Sequence, residues 1–360
     1  MSTFLFILLG ILVFGLLIAV HEFGHFITAK LCGVRVNEFA IGMGPKLLSR
    51  QGKETLYTLR LFPVGGFCAM EGEDEDTEDP RSFQKTRWWK KLLILLAGAF
   101  MNFVAGVLIF FFLFLPMDSF QADIVGGFES WSALPAQGLQ EGDRFLKVDG
   151  HRMLSAGDAK IFLDRAGKTA DIEVLRDGQR VLLKDVSMTR QTVETQNGTY
   201  QLLGLTIGSE AVPATFGTRV KEVFKQSASC VRLVWVSLGD LLTGAVGLRD
   251  LSGPVGIVSM IGEVGAQAQD PDIGIGLALE SVMNLMAFIA INLAVMNLLP
   301  IPALDGGRIF FLFINGVYTF FTHKKLNPKY EGIINAVGLI LLLGLMVVVA
   351  VSDVFKLFGR

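Results

Sequence analysis

The sequence predicts a polytopic α-helical membrane protein of four transmembrane helices, with an α+β domain inserted between the second and the third. Three observations lead there. The 360 residues are 51% hydrophobic and only 18% charged, and the mean hydropathy of +0.51 is too apolar for an ordinary water-soluble chain. Four stretches carry no Asp, Glu, Lys or Arg: Met1 to His21, Leu92 to Met117, Ser281 to Leu304 and Gly332 to Ser352. Each is long enough for the roughly 20 helical residues that a hydrocarbon core requires. Between the second and third of these, from Asp118 to about Gly208, the pattern turns to short alternating runs with turn signals between them.

A net charge of −2 gives no basic excess for phosphate backbones, so a nucleic-acid role has no electrostatic support. Cys32, Cys68 and Cys230 form no C-x-x-C pair and read as core or membrane residues.

Taken in order, the first span enters His21-Glu22-Phe23-Gly24-His25 rather than a small-residue cleavage site, and no Lys or Arg precedes Lys30, so it reads as a retained helix. After it, Val34 to Leu48 and Thr55 to Met70 are apolar, β-compatible runs around Gly42-Met43-Gly44-Pro45 and Gln51-Gly52-Lys53. The acidic run from Glu71 to Asp79 reads as a solvated loop, with a divalent-cation site as the weaker alternative. In the insertion, the runs 171–175 and 180–184 flank Asp177-Gly178, a hairpin signal, and a short helix is expected over Ala156 to Asp164. From Thr215 to Leu251, Val220, Val223, Phe224, Val231, Val234, Trp235, Leu238 and Leu241 recur at helical spacing. That suits a helix on the membrane surface or a linker helix packed on the domain. The chain thus divides into 1–117, 118–210, 211–280 and 281–360.

Basic residues set the orientation. Lys30, Arg35, Lys46, Arg87, Lys90 and Lys91 flank the first connection, and Lys324, Lys325 and Lys329 lie in the third, so both are expected on the cytoplasmic side. The termini and the segment from Asp118 to Glu280 then lie outside, with Lys356 and Arg360 as a mild contrary signal.

Two of only four histidines fall in one five-residue motif. His21 and His25, at i and i+4, share a helix face and can converge on one metal ion, while Glu22 is turned to reach a bound water. Ionisable groups at membrane depth are costly and mark function. Two satisfied buried histidines with a snorkelling glutamate would explain each residue singly but not the spacing. A catalytic zinc site takes three protein ligands and leaves a fourth position open. His151, His323 and Asp305 are the candidates for the third. Asp305 is preferred because spans one and three run in the same direction and end at the same leaflet. Pro300 and Pro302 break the helix before it, which membrane depth tolerates only in a protein interior or wet cavity. Capping of the following helix is a second role open to Asp305. A membrane zinc transporter using the same three ligands, and a non-catalytic scaffold that sequesters membrane helices, are the rival readings. A di-iron oxidase would need more histidines than the chain has.

Gly138-Leu139-Gln140-Glu141-Gly142-Asp143-Arg144-Phe145-Leu146-Lys147-Val148-Asp149-Gly150 resembles the corresponding run of bacterial PDZ domains. With HEFGH, Leu304-Asp305-Gly306-Gly307 and the order of spans, the chain resembles the site-2 proteases, the bacterial intramembrane zinc metalloproteases, over nearly its whole length. The resemblance implies Zn2+ on His21, His25 and Asp305, Glu22 as general base, and Asn297 beside the metal to hold substrate or the developing oxyanion. An interhelical polar contact is the alternative for Asn297. It also implies a membrane-associated β-sheet whose edge at Gly65, Gly66, Phe67, Cys68, Ala69 and Met70 accepts substrate as an added strand. Ala69 stands where relatives often have a basic residue. Ala97-Gly98-Ala99-Phe100-Met101-Asn102-Phe103 resembles the family's A-G-P-x-x-N-F, with Ala99 in place of proline, and close helix packing is its expected role. Leu251-Ser252-Gly253-Pro254-Val255-Gly256-Ile257 resembles another family run, with no chemical role assigned. The implied setting is the bacterial cytoplasmic (inner) membrane, with the PDZ-like domain on the extracytoplasmic side. The implied partners are lipid and single-span substrates, such as trimmed anti-sigma factors or remnant signal peptides. A new substrate C-terminus at the PDZ-like domain is a further possible partner, and exclusion of untrimmed proteins by size is the favoured role for that domain.

Overall fold

The computed structural model describes residues 3–73, 77–155, 157–195, 198–208, 211–247, 253–267, 274–324 and 328–358. In chain order the elements are α1 (Thr3–Cys32), β1 (Val36–Gln51), β2 (Leu56–Met70), α2 (Trp88–Phe114), β3 (Ser119–Gln121), β4 (Val125–Phe128), β5 (Arg144–Val148), β6 (His151–Arg152), α3 (Asp158–Arg165), β7 (Thr169–Arg176), β8 (Gln179–Ser187), β9 (Gln191–Thr195), β10 (Gly198–Leu202), β11 (Leu205–Ile207), β12 (Ala211–Pro213), α4 (Phe216–Thr243), α5 (Pro254–Gln267), α6 (Gly274–Asn297), α7 (Asp305–Thr322) and α8 (Pro328–Phe358). They form two compact units, one of residues 1–109 with 231–360 and one of residues 110–230.

Four helices, lying wholly or mostly in the first unit, are long and apolar enough to cross a membrane: Ile7–Cys32, Trp88–Phe114, Gly276–Asn297 and Gly332–Lys356. Two of the expected boundaries move. The first helix runs past the end of the charge-free stretch at His21 to Cys32, as the shared helix face of His21 and His25 requires, because no proline interrupts the segment and apolar residues persist on its faces. HEFGH is therefore helix interior. The third helix stops at Asn297 rather than Leu304. Pro300 and Pro302 cannot donate to the helical ladder, and residues 298–304 are irregular. The chain expected to be connection beyond this break is the helix α7. The Ala99 departure leaves α2 unbroken through Phe103.

Packing brings the first helix into the middle of this unit. Leu17 meets Ile261 of α5 and Ala278, Val282, Met286, Ile289 and Ala290 of α6 in one buried cluster. A second cluster joins Ala29 and the β-region residues Val34, Val36, Phe39, Cys68 and Met70 to Ile94 and Leu95 of α2. The last helix keeps an exposed apolar face at Ile340, Leu341 and Val347, as a helix bathed in lipid must.

β1 and β2 pair, and each doubles back, so that Glu38 to Ile41 lie opposite residues 66–69 on one side and 56–59 on the other. Residues 56–59 also pair with 48–51. The segment 66–70 is thus an outer edge of this sheet, with pairing partners on one flank only among the described residues. Ion pairs tie the β1–β2 turn to α1 and to the segment after β2: Lys30 and Arg81 both reach Glu54, at 2.7 and 2.8 Å. Those two cations hold the Glu54 carboxyl down to about 2.

The run around Gly253 finds a structural role. Asp353 near the end of α8 is 2% exposed, and its Oδ2 accepts the backbone N–H groups of Gly253 at 2.8 Å and Gly256 at 2.9 Å. A carboxylate at a helix N-terminus satisfies orphan donors and complements the dipole. Leu251 and Ser252 of that run lie outside the described residues, as do Asp74 to Asp76 of the acidic run and Lys325 and Arg360.

The second unit is α+β. Its main sheet has the order β6-β5-β7-β8, and Asp177 and Gly178, at φ of 50° and 77°, make the expected tight turn of the β7–β8 hairpin. The short helix falls at Asp158–Arg165; Ala156, where its start was expected, lies outside the described residues. Phe145, Val148, Phe162, Leu163, Ile172 and Val174 form the interior. Asp143, fully buried, accepts two 2.7 Å bonds from Arg176, so its charge is paired and hydrogen-bonded as burial demands. The amphipathic expectation is met by α4. Ser229 on α4 donates to buried Asp158 on α3, and Arg219 donates to the carbonyls of Phe114 and Met117 at the end of α2.

Asp123 supplies a pH-dependent element in this unit. Burial, aided by the charge of Asp158, pushes its carboxyl up to about 6, although it accepts the Gly157 N–H at 2.8 Å. A folded-state value above the unfolded one makes the ionised form the costly one. Its stabilisation is complete below about pH 4 and is lost as pH rises through about 6. Asp123→Asn keeps the acceptor and removes the charge. Scanning calorimetry at pH 4.5 and 7.5 should show a smaller loss of Tm on raising pH in the variant than in the parent; equal losses would assign the pH response to other groups.

Candidate metal centre

Three elements converge on one point of the first unit. α1 presents His21 and His25 one turn apart on the same face, with 9% and 7% of their surfaces exposed. The break after α6 delivers Asp305 at the first residue of α7. The N-cap position is Leu304, with no side-chain cap hydrogen bond, so the capping role open to Asp305 is not the one it takes. His21 Nε2 and His25 Nε2 lie 3.2 Å apart, and each lies 3.2 Å from Asp305 Oδ2. His151 belongs to the other unit and His323 to the far end of α7. Neither joins the cluster, which is His21, His25 and Asp305.

Whether this triangle fits zinc is a question of spacing and donor chemistry. Ligand atoms at about 2.0–2.2 Å from a tetrahedral Zn2+ stand roughly 3.3–3.6 Å from one another, and three edges of 3.2 Å fall just short of that range, so only a slight spreading of the triangle seats the ion. Among the described residues, Asp305 Oδ2 is buried without a hydrogen-bond partner, a position that a carboxylate oxygen holds at a cost unless a cation is meant for it. Two imidazoles and one carboxylate form a donor set of catalytic zinc sites, with a fourth position left for water or substrate. The residues fit the ion.

α2 closes one side of the triangle. A Cβ at Gly98 would sit 2.4 Å from His25 Nε2 and 2.8 Å from His21 Nε2, so a residue without a side chain is required there. His25 Nδ1–H donates to the Ile94 carbonyl at 2.8 Å, which fixes the ring with Nε2 free for ligation. Gly306 is constrained in the same way, since a Cβ there would lie 2.2 Å from the Leu299 carbonyl oxygen. The pair of glycines after Asp305 lets α7 start hard against the break.

The other side opens into a cavity of about 1380 Å³, lined by Glu22, Asn297, Arg308, Asn335 and the three candidate ligands. Glu22 is in this wall and outside the ligand cluster. Of the strand expected to meet substrate, Gly66, Phe67, Cys68, Ala69 and Met70 line the same cavity. Gly65, at φ of 95°, forms the bend before them. A Cβ on Gly66 would come 3.3 Å from Glu22 Cγ, so the sheet edge passes directly beside that glutamate. Arg308, in the first turn of α7, reaches Glu73 across the cavity. Asn335 on α8 accepts the Ala303 N–H at 3.3 Å, and Ala303 has φ of 73° in the loop before Asp305.

The motif histidines and Asp305 were legible from spacing and parity of crossings. Arg308, Asn335, Asp353 and the contact of Asn102 with His21 were not. Their partners are distant in sequence, and a lone polar residue at membrane depth says that a partner exists without saying which.

Known proteins resemble the chain along nearly its whole length. The profile of Peptidase family M50, the site-2 protease family, matches residues 9–345. The chain is 38% identical over 353 residues to a Clostridium perfringens protein provisionally named a zinc metalloprotease, covering 97% of this chain and 98% of the relative. A Fusobacterium nucleatum protein with the same provisional name is 32% identical over 360 residues, covering 98% of this chain and 99% of its own. The zinc metalloprotease RasP of Bacillus licheniformis is 28% identical over 432 aligned positions, covering 97% and 98%. Such coverage places the chain with hydrolases rather than with transporters or silent scaffolds. The chain belongs to peptidase family M50 and is a multi-pass membrane zinc metalloprotease.

Proposed function

We propose that this protease hydrolyses peptide bonds within the transmembrane segments of single-span membrane proteins, such as trimmed anti-sigma factors or remnant signal peptides, in regulated intramembrane proteolysis. One observation carries the reading: a candidate zinc triad, a glutamate outside it and an unpaired sheet edge all line one cavity, among helices long enough to span a bilayer. In this reading His21, His25 and Asp305 hold the metal. Zinc, when bound, supplies Lewis acidity that acidifies a water and polarises the scissile carbonyl.

The chain's own residues do the rest. Glu22 accepts the proton of the attacking water and returns it to the leaving amine. Asn297, in the cavity wall, donates from its amide to the substrate carbonyl oxygen as negative charge develops. An intact substrate helix hides its carbonyls in its own hydrogen bonds. The edge from Gly66 to Met70 compensates those bonds by pairing with an unwound stretch and leaves one peptide in reach of Glu22. The unit of residues 110–230 carries the run that resembles PDZ domains. It serves as an extracytoplasmic filter that admits already trimmed substrates, in a protein of the bacterial inner membrane.

The test follows cleavage of a tagged single-span substrate in zinc-loaded liposomes, with Glu22→Gln and Asp305→Ala beside the parent. Loss of turnover in both, with loss of zinc in the second alone, is expected. Parental rates in both variants would remove the mechanism.

A further inference from the structure

His25 has its ring fixed by a backbone carbonyl, whereas His21 relies on a side chain. The hydrogen-bond partner of His21 Nδ1 is the amide of Asn102 on α2, 3.3 Å away. Asn102 is 1% exposed, and its Oδ1 has no hydrogen-bond partner among the described residues. A buried amide oxygen left without a donor is costly.

The chemistry of the triangle decides which end of the amide belongs against the ring. His21 faces His25 and Asp305 through Nε2. For that atom to offer a lone pair to a cation, the single proton of the neutral imidazole must sit on Nδ1. An N–H on Nδ1 needs an acceptor, and the end of the Asn102 amide that accepts is its oxygen. The nitrogen and oxygen of an amide exchange places by a half turn. In the opposite arrangement the amide nitrogen donates to Nδ1, Nε2 carries the proton, and an N–H points into the space that the metal needs.

Ile94, Gly98 and Asn102 lie at i, i+4 and i+8, one stripe of α2 against the i, i+4 histidines of α1. The Ile94 carbonyl takes the Nδ1–H of one ring, Asn102 meets the Nδ1 of the other, and Gly98 leaves room for both.

We propose that Asn102 is a positioning residue of the metal centre: its amide oxygen accepts the Nδ1–H of His21 and holds that ring in the tautomer whose Nε2 faces the ion. The proposal rests on His21 being a ligand, and it goes beyond the close-packing role expected of this stretch. It assigns Asn102 to metal affinity, not to contact with substrate.

The experiment measures zinc affinity of the full-length protein in detergent by competition with a chromophoric chelator, for the parent, Asn102→Leu, Asn102→Asp and His21→Ala. Asn102→Leu keeps the volume and loses the acceptor, so zinc should bind about 10–100-fold more weakly. Asn102→Asp keeps an acceptor oxygen and should restore affinity to within a few-fold of the parent. Nitrogen NMR of the zinc-loaded parent, labelled with 15N-histidine, reads the tautomer without any substitution at position 102, and should show His21 protonated on Nδ1. Parental affinity in Asn102→Leu, equal loss in Asn102→Leu and Asn102→Asp, or a His21 ring protonated on Nε2 would each overturn the proposal. If His21→Ala also binds zinc like the parent, the ligand assignment falls together with it. If His21→Ala abolishes binding while Asn102→Leu does not change it, only the role of Asn102 falls.

Discussion

Glu22→Gln is expected to keep its zinc and to hydrolyse peptide bonds about 10²–10⁴-fold more slowly, the range typical for loss of a positioned general base. The side chain lines the cavity beside the candidate metal centre but is not one of the three converging candidate ligands. Glutamine reproduces its size and can still donate or accept a hydrogen bond, yet it cannot take up a proton at neutral pH. The loss should therefore fall on kcat, with little change in metal content or in KM. Metal analysis and single-turnover cleavage in liposomes, run on the same preparation, separate the outcomes. Zinc loss would make Glu22 a ligand, and an unchanged rate would send the search for the base elsewhere in the cavity wall.

Gly98→Ala should have a large effect on the metal centre for the addition of a single methyl group. The added Cβ would fall 2.4 Å from one ligand nitrogen and 2.8 Å from the other, distances at which the rings must move. Zinc affinity should drop by at least about 100-fold, the upper end for disturbed supports of metal ligands. Intrinsic helix preference runs the other way, since Ala is favoured over Gly by about 1 kcal/mol in a helix interior. That gain offsets only part of the steric cost, which falls on the buried rings with or without zinc, so the variant should lose more Tm in the zinc-loaded form than in the zinc-free form. Equal losses in both forms would assign the effect to helix packing between α1 and α2 rather than to the metal site.

Some physical signals survive in a single sequence and others do not. The His21 and His25 pair was readable because a helix repeats every 3.6 residues, and Asp305 because two parallel crossings must end at one leaflet. Charge-free windows locate the lipid, not the helix. That is why α1 runs past His21 to Cys32 and why α6 ends seven residues before the window does, at Asn297. The polar start of α7, Asp305-Gly306-Gly307-Arg308, and its glycines disguised a helix as a connection. Alternation and Asp177-Gly178 located the β7–β8 hairpin. The doubled pairing of β1 and β2, which leaves residues 66–70 at an edge, depends on long-range register that no local pattern encodes.

The last membrane helix is fastened near both ends: Asn335 grips the turn at Ala303, and Asp353, 18 positions further along, grips the backbone at Gly253 and Gly256. Those two anchor points stand about 27 Å apart on a rod that rises 1.5 Å per residue, while the surface between them is largely bare of protein. A beam pinned at its tips and unsupported along its length yields by bowing or by slipping one pin. The nearer pin is the turn at Ala303, two residues before Asp305, so the lipid-facing helix and the third candidate ligand share one fastening.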